Sequence, residues 1–196
     1  APLPFHVKSE ALMHLTGNTA YLLMFILMGL MFPVAYFRPR IAMQDSALLD
    51  LIAFVSATVS VCIFYLLAQW ELYGFRKILK TLMYIPLVLS VGIGMCVSNA
   101  RAVLSGLLFG MGGEFVRTPK YRIEEKKQTF LKRKYKVSFS RFLPVIELLF
   151  GLGFAYIIFE SIRNGMWGAV PFQALSCMGF LYVAFLSLFQ GKLTTR

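Results

Sequence analysis

The sequence predicts an all-α, polytopic membrane helix bundle with four full spans and one further hydrophobic segment that is re-entrant or interfacial. Of the 196 residues, 58% are hydrophobic and only 15% are charged, and the mean hydropathy is +0.69. Soluble domains usually contain about 25% charged residues. A core of this size cannot bury so much apolar surface, so lipid must solvate much of it. Five full spans are the alternative.

The first half of the chain predicts a short lead-in followed by two spans. Residues 1–14 mix charged and apolar side chains, as an interfacial helix leading into the bilayer does. The next 23 residues, Leu15 to Phe37, carry no formal charge and are long enough to cross roughly 30 Å of hydrocarbon. The second span runs from Leu51 to Trp70, with Trp70 and Tyr73 as interface anchors.

The segment from Thr81 to Ala100 is uncharged for 20 residues but contains proline, glycine, serine and asparagine, which weaken a lipid-exposed helix. The connection before it holds three basic residues, and residues 101–141 hold eleven. A single crossing would place these two basic regions on opposite faces, against the positive-inside rule. We therefore predict a re-entrant or interfacial hairpin made of residues 78–98 and 102–112, within a membrane region that covers 15–113.

Residues 114–141 form a basic connection, and residues 142–196 supply the last two spans and a basic tail. Ten of the twenty Lys and Arg residues lie between 117 and 141, which is typical of a cytoplasmic loop. The spans are predicted at 142–162 and 166–189, with a tight turn at 163–165. Gly151 and Gly153 mark places where another helix can pack closely.

The net charge of +11 is explained by this loop, which touches anionic lipid, and we expect no nucleic-acid partner. The three cysteines, the nine acidic residues and the two histidines form no metal-ligand pattern, so no metal site and no catalytic residue is predicted within the chain. Glu147 is the candidate intramembrane polar site, with either a functional or a structural role, because ionisable residues in spans tend to face a cavity or a partner.

The hexapeptide Phe115-Val116-Arg117-Thr118-Pro119-Lys120 resembles the gating-loop motif of membrane-embedded family 2 glycosyltransferases, which reads F-x-V-T-x-K in bacterial cellulose synthase. The order of features is also similar: an amphipathic lead-in, two spans, an interfacial region, the loop and two more spans. The resemblance extends over essentially the whole chain, to the C-terminal membrane region of cellulose synthase-like and mannan synthase-like bacterial enzymes.

The resemblance implies a loop that closes over a nucleotide-sugar at the membrane face. Thr118 would then hydrogen-bond the nucleotide, Lys120 would lie near the diphosphate, and Phe115 would anchor the loop. Arg117 stands where cellulose synthase has valine, which adds a phosphate contact and leaves the loop pose and substrate open.

The family's catalytic parts, namely the GT-A domain, its D-x-D motif, the general-base Asp and the Q-x-x-R-W motif, have no counterpart in this sequence. We therefore expect a fragment of an inverting glycosyltransferase that is inactive alone. Its partners would be its own missing GT-A domain with a divalent Mg or Mn ion, a nucleotide-sugar, a polysaccharide or lipid acceptor, and membrane lipids. The expected location is the bacterial inner membrane, with the basic loop and the C-terminus cytoplasmic. The alternative is a small non-enzymatic membrane scaffold or transporter subunit with a basic cytoplasmic loop.

Overall fold

The structure is a computed structural model that describes residues 4–41, 47–75, 78–109 and 142–193. Within these ranges the chain is all-α and contains no strand, as predicted. The α-helices of the described ranges are, in order, α1 (Phe5–Thr16), α2 (Thr19–Phe37), α3 (Ala47–Tyr73), α4 (Ile78–Gly94), α5 (Cys96–Phe109), α6 (Phe142–Arg163) and α7 (Val170–Leu193). Short 3-10 turns follow α2 at Arg38–Ile41 and precede α7 at Trp167–Ala169.

Five stretches of the described chain are long and apolar enough to cross a membrane. The chain is therefore a multi-pass membrane protein. Apolar side chains cover its outer surface, including Phe64, Met83 and Leu149 at 69%, 80% and 63% exposure. This is expected where lipid solvates the helices. Those stretches are Thr19–Ile41, Ala47–Tyr73, Lys80–Leu108, Phe142–Arg163 and Trp167–Phe189.

The core lies where α2, α5, α6 and α7 meet, and large aromatic side chains fill it. Phe154 of α6 and Phe180 of α7 are fully buried and stack with their ring centroids 5.8 Å apart. Phe32 of α2 packs on Phe154 at 5.3 Å, and Met28 of α2 belongs to the same buried cluster. Such aromatic pairs stabilise a fold beyond their buried area, by about 0.5–1.5 kcal/mol each.

In the described residues 78–109, α4 and α5 do not pack against each other as the two arms of the predicted hairpin (78–98 and 102–112) would. The backbone N–H of Met95 donates to Val91 O at 3.0 Å, and that of Asn99 donates to Met95 O at 3.2 Å. These two bonds flank a turn at Met95 that joins α4 to α5, and the 29 residues Lys80–Leu108 form one apolar stretch. The two helices also pack against different partners, α4 mainly on α7 and α5 mainly on α2.

The small residues that favoured a hairpin have another role, which explains the difference. A methyl group added at Gly94 would lie 2.6 Å from the carbonyl carbon of Gly179, and one added at Gly179 would lie 2.8 Å from that of Ser90. The Ser90 hydroxyl also donates to Leu175 O at 2.9 Å. These residues let two helix backbones approach closely, as small residues do between membrane helices.

Two connections that are far apart in sequence meet at one end of the bundle, called here the 168 end. A methyl group at Gly168, in the turn between α6 and α7, would lie 2.9 Å from Ala47 Cα at the start of α3. Arg38, at the end of α2, pairs with Asp50 at the same end. The opposite end holds the start of α6 and the last turns of α7.

Candidate functional site

Glu147, the predicted intramembrane polar residue, is buried where α5, α6 and α7 meet. Its exposure is 2%, so the structure places it inside the bundle and away from lipid. The Ser187 side chain of α7 hydrogen-bonds the carboxyl group, and Cys96 of α5 lies close to it. Its Oε2 atom has no hydrogen-bond partner among the residues that the structure describes. A buried carboxyl oxygen of this kind is costly unless it meets a proton, a cation or a donor.

The close packing predicted at Gly151 and Gly153 is present on the same helix as Glu147. A methyl group at Gly151 would lie 2.6 Å from Leu181 Cδ2 of α7, and one at Gly153 would lie 2.8 Å from Phe32 Cζ of α2. The Cys177 thiol adds a contact of 3.4 Å to Gly151 O. These contacts hold α6 closely between α2 and α7, and Glu147 lies one helical turn before Gly151 on the same helix.

The predicted nucleotide-sugar site, Phe115, Arg117, Thr118 and Lys120, lies outside the described residues. These four positions belong to the connection between α5 and α6. Their predicted roles stay predictions.

A second polar cluster, which the sequence analysis did not find, lies at the 168 end. Arg38 Nη1 donates to Asp50 Oδ1 at 2.8 Å. Gln173 Nε2 donates to Ser161 Oγ at 2.9 Å, and Gln173 is 2% exposed. All four residues line one cavity of about 290 Å³, whose other walls are mainly apolar. We call it the Arg38–Gln173 cavity.

Two acceptor atoms of this cavity's walls are buried and have no partner among the described residues, Asp50 Oδ2 and Gln173 Oε1. In the sequence, Arg38 directly follows the predicted span Leu15–Phe37 and Asp50 directly precedes the predicted span Leu51–Trp70, so both indicate only span boundaries. The sequence feature that could have indicated this polar cluster is Gln173, an uncharged amide inside the last predicted span. Its pairing with Ser161, twelve residues away, depends on how α6 and α7 pack.

The part of the chain that the structure describes contains no group of three or more His, Cys, Asp and Glu side chains that could hold a metal ion. No protein-family model, no curated protein and no solved structure matches this chain. The fold of the described residues defines the class of this chain, which is a multi-pass, all-α membrane protein.

Proposed function

We propose that this chain is the membrane portion of an inverting family 2 glycosyltransferase that transfers sugar from a nucleotide-sugar to a polysaccharide or lipid acceptor. The observation that carries the proposal is the hexapeptide at residues 115–120. It occupies a polar, basic connection between two apolar helices, α5 and α6, where a gating loop would need to lie.

The chemistry expected of that loop follows from its residue types. Lys120 and Arg117 would offset the charge of a diphosphate, and the Thr118 hydroxyl would supply a hydrogen bond. Closure of such a loop excludes water from the transfer site. The GT-A domain, with its divalent Mg or Mn ion, would provide the catalytic residues, so the membrane portion would supply the loop and the path for the acceptor.

The first experiment is to read the genomic sequence upstream of Ala1. The proposal expects an open reading frame that continues into a GT-A domain with D-x-D and Q-x-x-R-W motifs. A start codon at or near Ala1 would overturn it. The isolated 196-residue chain should neither hydrolyse nor transfer a UDP- or GDP-sugar, and turnover by that chain alone would equally contradict the proposal.

The second experiment tests the loop within the longer protein that such a reading frame encodes. Thr118→Val and Lys120→Met should each lower the transfer rate about 10- to 100-fold, the effect expected for one hydrogen bond to a charged group. Lys126→Met, in the same basic connection but outside the hexapeptide, is the matched control and should change the rate little. Equal effects of Lys120→Met and Lys126→Met would show that only the basic charge of the connection matters and that the hexapeptide has no specific role.

A second candidate function is a small membrane scaffold or transporter subunit. The buried carboxyl group of Glu147 is what favours it, because ionisable residues inside membrane bundles mark ion or substrate paths. Labelling of a single cysteine tests the first function. Thr118→Cys should be labelled from the cytoplasm if the glycosyltransferase proposal holds, and labelling from the outer face would remove the gating-loop role. A scaffold or transporter subunit with a basic cytoplasmic loop also predicts cytoplasmic labelling, so the reading frame upstream of Ala1 distinguishes the two functions.

A further inference from the structure

The Arg38–Gln173 cavity has an excess of hydrogen-bond acceptors. Asp50 Oδ1 accepts from Arg38, while Asp50 Oδ2 has no partner among the described residues. Gln173 uses its amide N–H on Ser161, which leaves Oε1 without a partner in the same part of the chain. A buried acceptor left unsatisfied costs about 1–3 kcal/mol. An occupant that donates hydrogen bonds would relieve this cost.

Side chains typical of the membrane–water interface lie beside the cavity. Arg38 ends α2, and two residues further on the Arg40 guanidinium lies 3.6 Å from the centre of the Tyr36 ring. Trp167, which is 63% exposed, stands beside Gly168 at the same end of the bundle. Basic and aromatic side chains of this kind mark the membrane–water interface. We therefore expect the cavity to hold the polar headgroup of a lipid.

An apolar groove adjoins the cavity and shares Val34, Arg38 and Asp50 with it. The groove has a volume of about 460 Å³. The Arg38–Asp50 pair thus separates a space with unsatisfied acceptors from a space suited to a hydrocarbon chain, which is the arrangement that an amphiphile requires. The remaining groove walls are Pro33, Phe37, Ile41 and Leu49.

We propose that the Arg38–Gln173 cavity binds the headgroup of a phospholipid that carries a primary ammonium group. The ammonium donates to Asp50 Oδ2 and Gln173 Oε1, the phosphate lies against the Arg38 guanidinium, and one acyl chain follows the adjoining groove. An ammonium fits better than a hydroxyl, because it brings three donors and a positive charge to a carboxylate and an amide oxygen. The positive Arg38 guanidinium thus faces the negative phosphate of the zwitterionic headgroup, and the negative Asp50 carboxylate faces its positive ammonium.

The test compares two lipids that differ in the substituents of the headgroup nitrogen, which are three N–H donors in one lipid and three methyl groups in the other. The full 196-residue chain is purified in detergent and equilibrated with equal amounts of phosphatidylethanolamine and phosphatidylcholine with identical acyl chains, and bound lipid is counted by native mass spectrometry. The choline headgroup has the same charge but no N–H donor. Phosphatidylethanolamine should be enriched on the order of tenfold, the factor for one net hydrogen bond to a charged group. Equal retention of the two lipids would overturn the proposal.

Two variants locate the enrichment at the cavity. Gln173→Leu removes the unpartnered acceptor at similar volume, together with the hydrogen bond from Gln173 Nε2 to Ser161. Ala53→Phe fills the cavity from an exposed wall position without altering a polar group. Each should reduce the enrichment to about onefold, and Ala53→Phe still decides the matter if Gln173→Leu does not fold. Gln69→Leu is the matched control, because Gln69 lines a separate cavity between α3 and α4. Two results would contradict an ammonium site in this cavity. One is enrichment of phosphatidylethanolamine that persists in Ala53→Phe, and the other is stronger enrichment of phosphatidylglycerol than of phosphatidylethanolamine.

Discussion

At the scale of single residues, Gly179 has the strictest steric requirement. An added methyl group would lie 2.8 Å from the Ser90 carbonyl carbon and 3.1 Å from Gly94 N. Both neighbours are backbone atoms, so they cannot move away as a flexible side chain can. The contact between α4 and α7 therefore tolerates only glycine at this position.

Gly179→Ala should lower the free energy of unfolding by about 3 kcal/mol, the upper part of the range for an overpacked core. Gly92→Ala is the matched control on α4, since a methyl group there would meet nothing within 4 Å. That control should be neutral or slightly stabilising, because alanine favours the helix over glycine by about 1 kcal/mol. Unfolding in detergent, followed by circular dichroism, measures both, and equal stability of the two variants would contradict the predicted contact.

Glu147 gives a second prediction at this scale. An ionised carboxylate inside a protein carries a penalty of several kcal/mol unless it is paired, and Oε2 has no partner among the described residues. Glu147→Gln keeps the shape and removes the charge, so it should leave the unfolding free energy unchanged or raise it by about 1 kcal/mol.

The control for Glu147→Gln is Glu71→Gln, which alters an exposed residue and should change stability by less than about 0.5 kcal/mol. The measurement is the same unfolding transition in detergent. A loss of more than about 2 kcal/mol in Glu147→Gln would instead reveal a cation that pairs with this carboxylate.

At the scale of the elements, apolar length and charge were sufficient to find most of the helices. The predicted span at 15–37 corresponds to Thr19–Phe37, and that at 142–162 to Phe142–Arg163. The turn at 163–165 is present, and Gly165 adopts a positive φ of 74° there, which glycine allows without strain. These features depend on local sequence, so a single sequence contains the information.

The predicted contact between α4 and α5 is absent from the described residues because the same residues have different consequences in lipid and in a helix contact, whereas the predicted count of four full spans stays a prediction. Gly94 and Ser90 weaken a helix that faces lipid, but between two helices they permit close approach and a hydrogen bond across the interface. The Arg38–Gln173 cavity was missed for a related reason, since its walls come from four helices. The hydropathy of one segment shows neither which helix α4 packs against nor which helices enclose the cavity.

At the scale of the whole molecule, the contact between Gly168 and Ala47 constrains how many times the chain crosses the membrane. Ala47 follows one passage by α2, and the turn at Gly168 separates the passages of α6 and α7. Both therefore lie on the same face, so α6 begins on the face where α1 lies. Between Ala47 and Phe142 the chain must then make an odd number of net passages.

Two long apolar stretches of the described residues, α3 and the α4–α5 run, lie in that interval. We therefore predict that one of them does not pass from face to face and that the chain makes four net passages, although five stretches are long enough. We predict that α1 and the turn at 163–165 lie on opposite faces. Five complete passages would instead place them on the same face, because the turn would then follow α1 by four passages.

Single cysteines at Glu10 and Arg163, both exposed positions, measure this directly in a chain whose three native cysteines are replaced by alanine. In sealed vesicles of one orientation, a membrane-impermeant maleimide should label one of the two positions, and the other only after the membrane is opened. A third cysteine at Leu108, near the end of α5, should be labelled from the same face as Glu10, because the segment before α6 ends on that side.

Labelling of Glu10→Cys and Arg163→Cys from the same face would establish five passages. The Gly168–Ala47 contact could then not exist in the membrane, and the Arg38–Gln173 cavity, which is built on the same end of the bundle, would be lost with it.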